Sequence, residues 1–195
     1  MKKILLLTII AAASFSAGAQ EFNKQLAAAR TAYSAGKLED ARFAMQQMLQ
    51  ELDILTGKEV LKLLPAKMQE QNAVSAKDNV TGASGFAGVI VHREYGAADK
   101  KVELEVISNS PLIATLNSLL SLPIIGTSGD NKVIKVGGYK ALVQKTTGEN
   151  DKATYEIQLP LNSSLITLRA PGYTEDQVIK MMNTLAVADI ARLLQ

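Results

Sequence analysis

Apolar positions along this chain follow two different periods. From Phe22 to about Tyr33 the sequence is rich in Ala, Leu and Gln and contains no breaker, which predicts a helix. Ser34-Ala35-Gly36-Lys37 interrupts it. From Leu38 to about Leu55 the spacing of three and four resumes. Leu38, Ala41, Met45, Met48, Leu49 and Leu52 then share one stripe of a helix. Two helices across a short break predict an antiparallel helical hairpin. Thr56-Gly57 reads as punctuation, and Lys58 to about Leu64 as a short third helix closed by Pro65. Residues 20–65 are therefore expected to be a helical front end.

Residues 66–85 lose the period and collect Gln, Asn, Lys, Asp, Ser and Gly, so a linker or long exposed loop is expected there. From Phe86 the period becomes two. Val89–Tyr95 is the first expected strand. Lys101–Ser108 follows, with Val102, Leu104 and Val106 alternating against Glu103 and Glu105. Ser110-Pro111 has the form of a helix start, with an N-cap Ser and Pro in the first turn. Leu112 to Leu122 supplies the helix. Strands are expected at Lys132–Val136, Tyr139–Thr146, Ala153–Leu159 and Ser164–Arg169, with Gly137-Gly138 as a tight turn. Thr174-Glu175-Asp176-Gln177 reads as a capping box opening a helix to about Leu185, and Ala188–Leu194 as a short terminal one. The order predicts an α+β domain over residues 86–195. Its antiparallel sheet would have about six strands, with two helices able to cover one face.

The first nineteen residues follow a different logic. Met1-Lys2-Lys3, the apolar run Ile4 to Ala13, and Ala17-Gly18-Ala19 have the form of a secretory signal peptide cleaved after Ala19. The expected location is therefore the periplasm of a bacterium. Composition changes the picture at this point. The 195-residue chain carries 21 basic and 19 acidic residues, and losing Lys2 and Lys3 makes the mature chain formally neutral. Neutrality removes the electrostatic case for nucleic acid or anionic lipid as partner. The absence of Cys removes disulfides and thiolate metal sites, and a single His argues against a His-rich one.

The hairpin resembles one tetratricopeptide repeat, through Ala29, Tyr33, Gly36, Leu38, Ala41, Met45 and Met48. The resemblance covers about one repeat unit, and no second copy follows. Repeat arrays need several stacked units to bury their faces, so a lone hairpin is expected. Ser108 through Pro111, Gly137 through Ala141, and Ala188 through Ile190 resemble a group of small exported bacterial proteins with a Mog1/PsbP-like α+β architecture. This resemblance covers residues 57–195. It implies a fold and no activity. Val80 through Gly88 resembles the nucleotide fingerprint of short-chain dehydrogenases. A polar stretch stands before it and a β-branched one after it, where that motif needs a buried strand and a helix. No cofactor is expected.

Few residues suggest chemistry. His92 is the one imidazole available as a general base, with Ser84 or Ser110 as conceivable nucleophiles, but no Gly-x-Ser-x-Gly elbow presents either. Glu103 and Glu105 share a strand face and read first as a solvated sheet surface, then as a carboxylate pair. The uncharged stretch Leu112–Ile125 reads as a buried helix or as an apolar docking patch. A non-enzymatic protein-interaction or envelope-accessory module is expected, with no catalytic, cofactor or metal residues. Its partner or ligand surface would draw on Met45, Met48, Leu112, Leu116, Leu120, Ile124 and Ile125. A small-molecule or lipid carrier and a hydrolase using His92 are the alternatives.

Overall fold

Gly36 makes the first turn among the described residues. Its φ of +72° is one that Gly adopts without strain, and open space surrounds it. Gly36 N donates to Tyr33 O and Lys37 N to Ala32 O at 2.9 Å, the paired bonds that close a helix through a left-handed residue. Helix α1 (residues 20–34) ends there, and α2 (Leu38–Leu63) begins. A computed structural model describes residues 20–82, 88–97, 100–110, 112–121, 130–147 and 153–194. The chain divides into two compact units, Met1–Leu55 and Thr56–Gln195, with the boundary inside α2.

In the first unit α1 and the front of α2 form the expected hairpin. Its most buried apolar residues are small ones, Ala29, Ala41 and Ala44.

The second unit begins with the last turns of α2. Thr56-Gly57 does not break this helix, contrary to expectation. A Cβ added at Gly57 would stand 2.5 Å from Val89 Cγ2 and 2.7 Å from Val80 Cγ1, so Gly57 permits a close helix–sheet approach. Residues 66–82, expected as a linker, are also built into the fold. β1 (Lys67–Met68) and β2 (Gln71–Asn72) pair as a small hairpin, a 3₁₀ turn spans Ser75–Lys77, and β3 (Asn79–Gly82) joins the main sheet. The Arg93 guanidinium donates to both Asp78 carboxylate oxygens at 2.8 and 2.6 Å and to Leu64 O at 3.1 Å. This clamp ties the end of α2, the approach to β3 and the sheet together.

The main sheet also contains β4 (Val89–Tyr95), β5 (Val102–Ser108), β6 (Asn131–Val136), β7 (Tyr139–Thr147), β8 (Ala153–Pro160) and β9 (Ser164–Pro171). Its seven strands run antiparallel in the order β3-β4-β5-β9-β8-β7-β6. Gly137 and Gly138, both at positive φ, make the two-residue turn between β6 and β7. The fold is α+β, as expected, with one more strand than expected and a separate two-stranded ribbon.

Helix α4 (Glu175–Met182) opens with the expected capping box. Gln177 N donates to Thr174 Oγ1, and Thr174 N donates to Gln177 Oε1 at 2.9 Å. Helix α5 is Val187–Leu193. Val178, Met181, Met182 and Ile190 pack with Leu104, Ile157, Ile166 and Leu168 on one sheet face, which Val60 and Leu64 of α2 also cover. Helix α3 (Ile113–Ser121) packs Ile113, Leu116 and Leu120 on Leu142 and Leu165 instead. Leu142 lies between Ala141 and Val143, and Leu165 precedes Ile166, so strand alternation puts α3 on the opposite face. The helices therefore do not share one face.

Candidate interaction surface

Three features in the described residues are worth weighing as sites. The first is the hairpin. Tyr33 is 68% exposed, Leu38 65%, Phe43 63%, Met45 48%, Leu49 62% and Leu52 46%, with Phe43 on a different side of α2 from the others of that helix. Leu38, Met45, Leu49 and Leu52 project from one side of α2, by the angular spacing of a helix. Ala41 and Ala44 are buried and Met48 half-buried. The apolar stripe seen in the sequence is thus wider than its own hairpin covers. Met45 lies on the open edge and Met48 nearer the closed one. Leu38, Leu49, Leu52 and Tyr33 belong to the exposed surface as well, although the sequence pattern points only to Met45 and Met48 there. The signal for them was present, in a stripe too broad for a single helix contact.

The second is the polar ladder on the α3 face of the sheet. Register sets Asn79, His92, Glu105, Thr167 and Gln158 in one row. Glu94, Glu103, Arg169 and Glu156 form the next row. Glu94 and Glu103 would repel as direct cross-strand partners. Lys101 Nζ bridges them, 3.5 Å from Glu94 Oε1 and 2.5 Å from Glu103 Oε1. Arg169 reaches Glu103 at 3.7 Å, and His92 Nε2 lies 3.6 Å from Glu94 Oε1. Burial acts to raise the Glu94 pKa, but Lys101 and the His92 hydrogen bond outweigh it and hold the carboxyl below its ordinary value. The hydrogen bond to Glu103 raises the Lys101 ammonium above its own.

Glu103 is thus committed to cations. No hydroxyl nucleophile stands directly opposite His92 on either flanking strand, because its partners there are Asn79 and Glu105. Ser110 Oγ is engaged in the turn before α3, accepting a hydrogen bond from Leu112 N at 3.3 Å, and Ser84 lies outside the described residues. No group of three or more His, Cys, Asp or Glu among the described residues could hold a metal ion.

The third is a cleft of about 460 Å³ where α3 ends over the sheet, lined by Asn117, Leu120, Ser121, Lys140, Leu161 and Asn162 among others. Its lining mixes polar and apolar groups, and Lys140 Nζ spends a hydrogen bond on Leu120 O at 3.3 Å. Leu116 and Leu120, expected at a docking patch, are core residues at 5% and 7% exposure. Leu112 is exposed. Ile124 and Ile125 lie outside the described residues.

No helix among the described residues is long and apolar enough to cross a membrane. Compared with family models, curated proteins and solved structures, the chain finds no match.

Proposed function

We propose that this chain is an exported, non-enzymatic protein-interaction module whose working surface is the outer face of its helical hairpin. One observation carries this reading: Leu38, Met45, Leu49 and Leu52 are large, apolar, about half or more exposed, and share one side of α2. Scattered exposed apolar residues need no explanation, but a continuous patch of them marks a contact surface. The export signal read in residues 1–19 supports a site of action outside the cytoplasm. The likeness of the hairpin to a tetratricopeptide repeat points the same way, since such hairpins work by packing on other helices.

The test places a photo-crosslinking residue at Leu52 in producing cells, with Gln46 as control. A discrete cross-linked band from position 52 and none from position 46 is the expected result. Equal or absent capture at both positions would remove the reading.

A small-molecule carrier is the second reading, favoured by the cleft beside Asn117 and Lys140, whose volume falls in the range of ligand pockets. Asn117, Lys140 and Asn162 in that mixed lining suit a small polar ligand better than a lipid chain. An adduct in native mass spectrometry that disappears on Lys140→Ala would support it.

A further inference from the structure

The open side of α2 has a period of its own. Leu38, Arg42, Met45, Leu49 and Leu52 follow one another at alternating spacings of four and three residues. That is the spacing at which two helices interlock side chains. Ala41, Met48 and Leu55 form a parallel seam one position round the helix, and all three are buried or half-buried. Helix α2 therefore carries two adjacent seams, of which one is left open. Resting on the interaction reading above, we infer that the open seam takes a second copy of this chain, in antiparallel contact, to join two hairpins into a four-helix bundle.

Spacing, charge and area select the second copy over another occupant. In an antiparallel contact centred on Gln47, Met45 of each copy layers on Leu49 of the other, and Arg42 on Leu52. The seam is its own complement, which is the requirement of a two-fold interface. Arg42 has no ion pair among the described residues, and neither has Asp53. Partial burial raises the Asp53 carboxyl above its ordinary pKa, the mark of a carboxylate lacking a cation. The same contact sets Asp53 of one copy beside Arg42 of the other, twice by symmetry. The hairpin carries Lys24, Arg30, Lys37 and Arg42 against Glu21, Glu39, Asp40, Glu51 and Asp53, so two copies meet without strong like-charge repulsion. At about 100 Å² from each of the seam's four exposed apolar side chains, two copies bring roughly 800 Å² of apolar surface together, and Arg42 and Asp53 add polar area to reach the lower end of specific interfaces.

Sedimentation velocity on the full chain, without detergent and from about 1 to 200 µM, tests this. A dimer is expected. R42E or D53K alone should weaken it by about tenfold or more, and R42E with D53K should restore it. L49K should leave a monomer with unchanged circular dichroism. A monomer at every concentration overturns the inference, as does a dimer indifferent to all three substitutions. A monomeric chain whose position-52 probe captures a different protein also overturns it but leaves the interaction reading standing. A monomer with no capture removes both.

Discussion

Gly57 illustrates how a single missing carbon can organise a helix–sheet contact. In an exposed helix interior, replacing Gly by Ala stabilises by about 1 kcal/mol. At Gly57 the added Cβ would press on Val89, Val80 and Val91, with the nearest atoms at 2.5, 2.7 and 3.2 Å. Overpacking of this kind costs about 1 to 3 kcal/mol and outweighs the propensity gain. Gly57→Ala is therefore expected to lower the urea midpoint, and a raised midpoint would show that the valines yield easily. Tyr95 poses an electrostatic case. Its side chain is fully buried, and its hydroxyl has no hydrogen-bond partner among the described residues. Burial pushes its pKa up to about 12, with the Arg93 guanidinium pulling the other way. An unfolded tyrosine releases its proton near pH 10, so between about pH 10 and 12 the unfolded chain loses a proton that the folded one keeps. Stability is intact below pH 10 and falls as pH rises through that window, by about 2 to 3 kcal/mol from this group. Tyr95→Phe should remove that part of the alkaline loss and cost little at pH 7. Identical alkaline unfolding of the two proteins would show that the hydroxyl titrates normally.

Strands were the most legible elements, and the reason is physical. Val89–Tyr95 and Val102–Ser108 each bury alternate residues, so a period of two is written directly into the sequence. The capping box at Thr174 and the paired glycines at positions 137 and 138 were equally readable, because their chemistry is local. Elements held by distant partners were not readable. β3 has the polar sequence Asn79-Val80-Thr81-Gly82 and lies at the sheet edge, where Val80, opposite Val91, is its one side chain on the core face beside Gly82. Its place depends on the Asp78–Arg93 pair, fifteen residues apart in the chain, and no periodicity encodes such a pair. The continuity of α2 through Gly57 was hidden likewise, since the glycine answers to Val89 and Val80 rather than to its helix. The face chosen by α3 was also beyond reach. Its apolar residues fit either side of the sheet, and Leu142 and Leu165 decide it. For the interaction surface, the stripe itself was visible. Which of its residues stay open depends on how much of the stripe α1 covers.

The two units stand on unequal foundations. The Thr56–Gln195 unit has a core that includes Leu104, Ile157, Ile166, Leu168, Met181 and Ile190, all fully buried, beneath a continuous antiparallel ladder. The hairpin brings three alanines below a tenth exposure and leaves its larger apolar side chains in contact with solvent. Helices in proteins gain most of their stability from packing rather than from propensity. The hairpin should therefore open locally at a small fraction of the free energy that opens the sheet. Amide hydrogen exchange on dilute chain is expected to show residues 38–55 exchanging at least about a hundredfold faster than the strands β5, β9 and β8. Raising the concentration should slow exchange in residues 38–55 and leave the strands unchanged, because a partner that binds only the folded hairpin stabilises the hairpin alone. L49K should abolish that concentration dependence without changing strand protection, as distant sites contribute independently. Hairpin amides as protected as the strands at low concentration would mean that the hairpin gains its stability within the single chain, and the open seam would then lose its claim to be an interface.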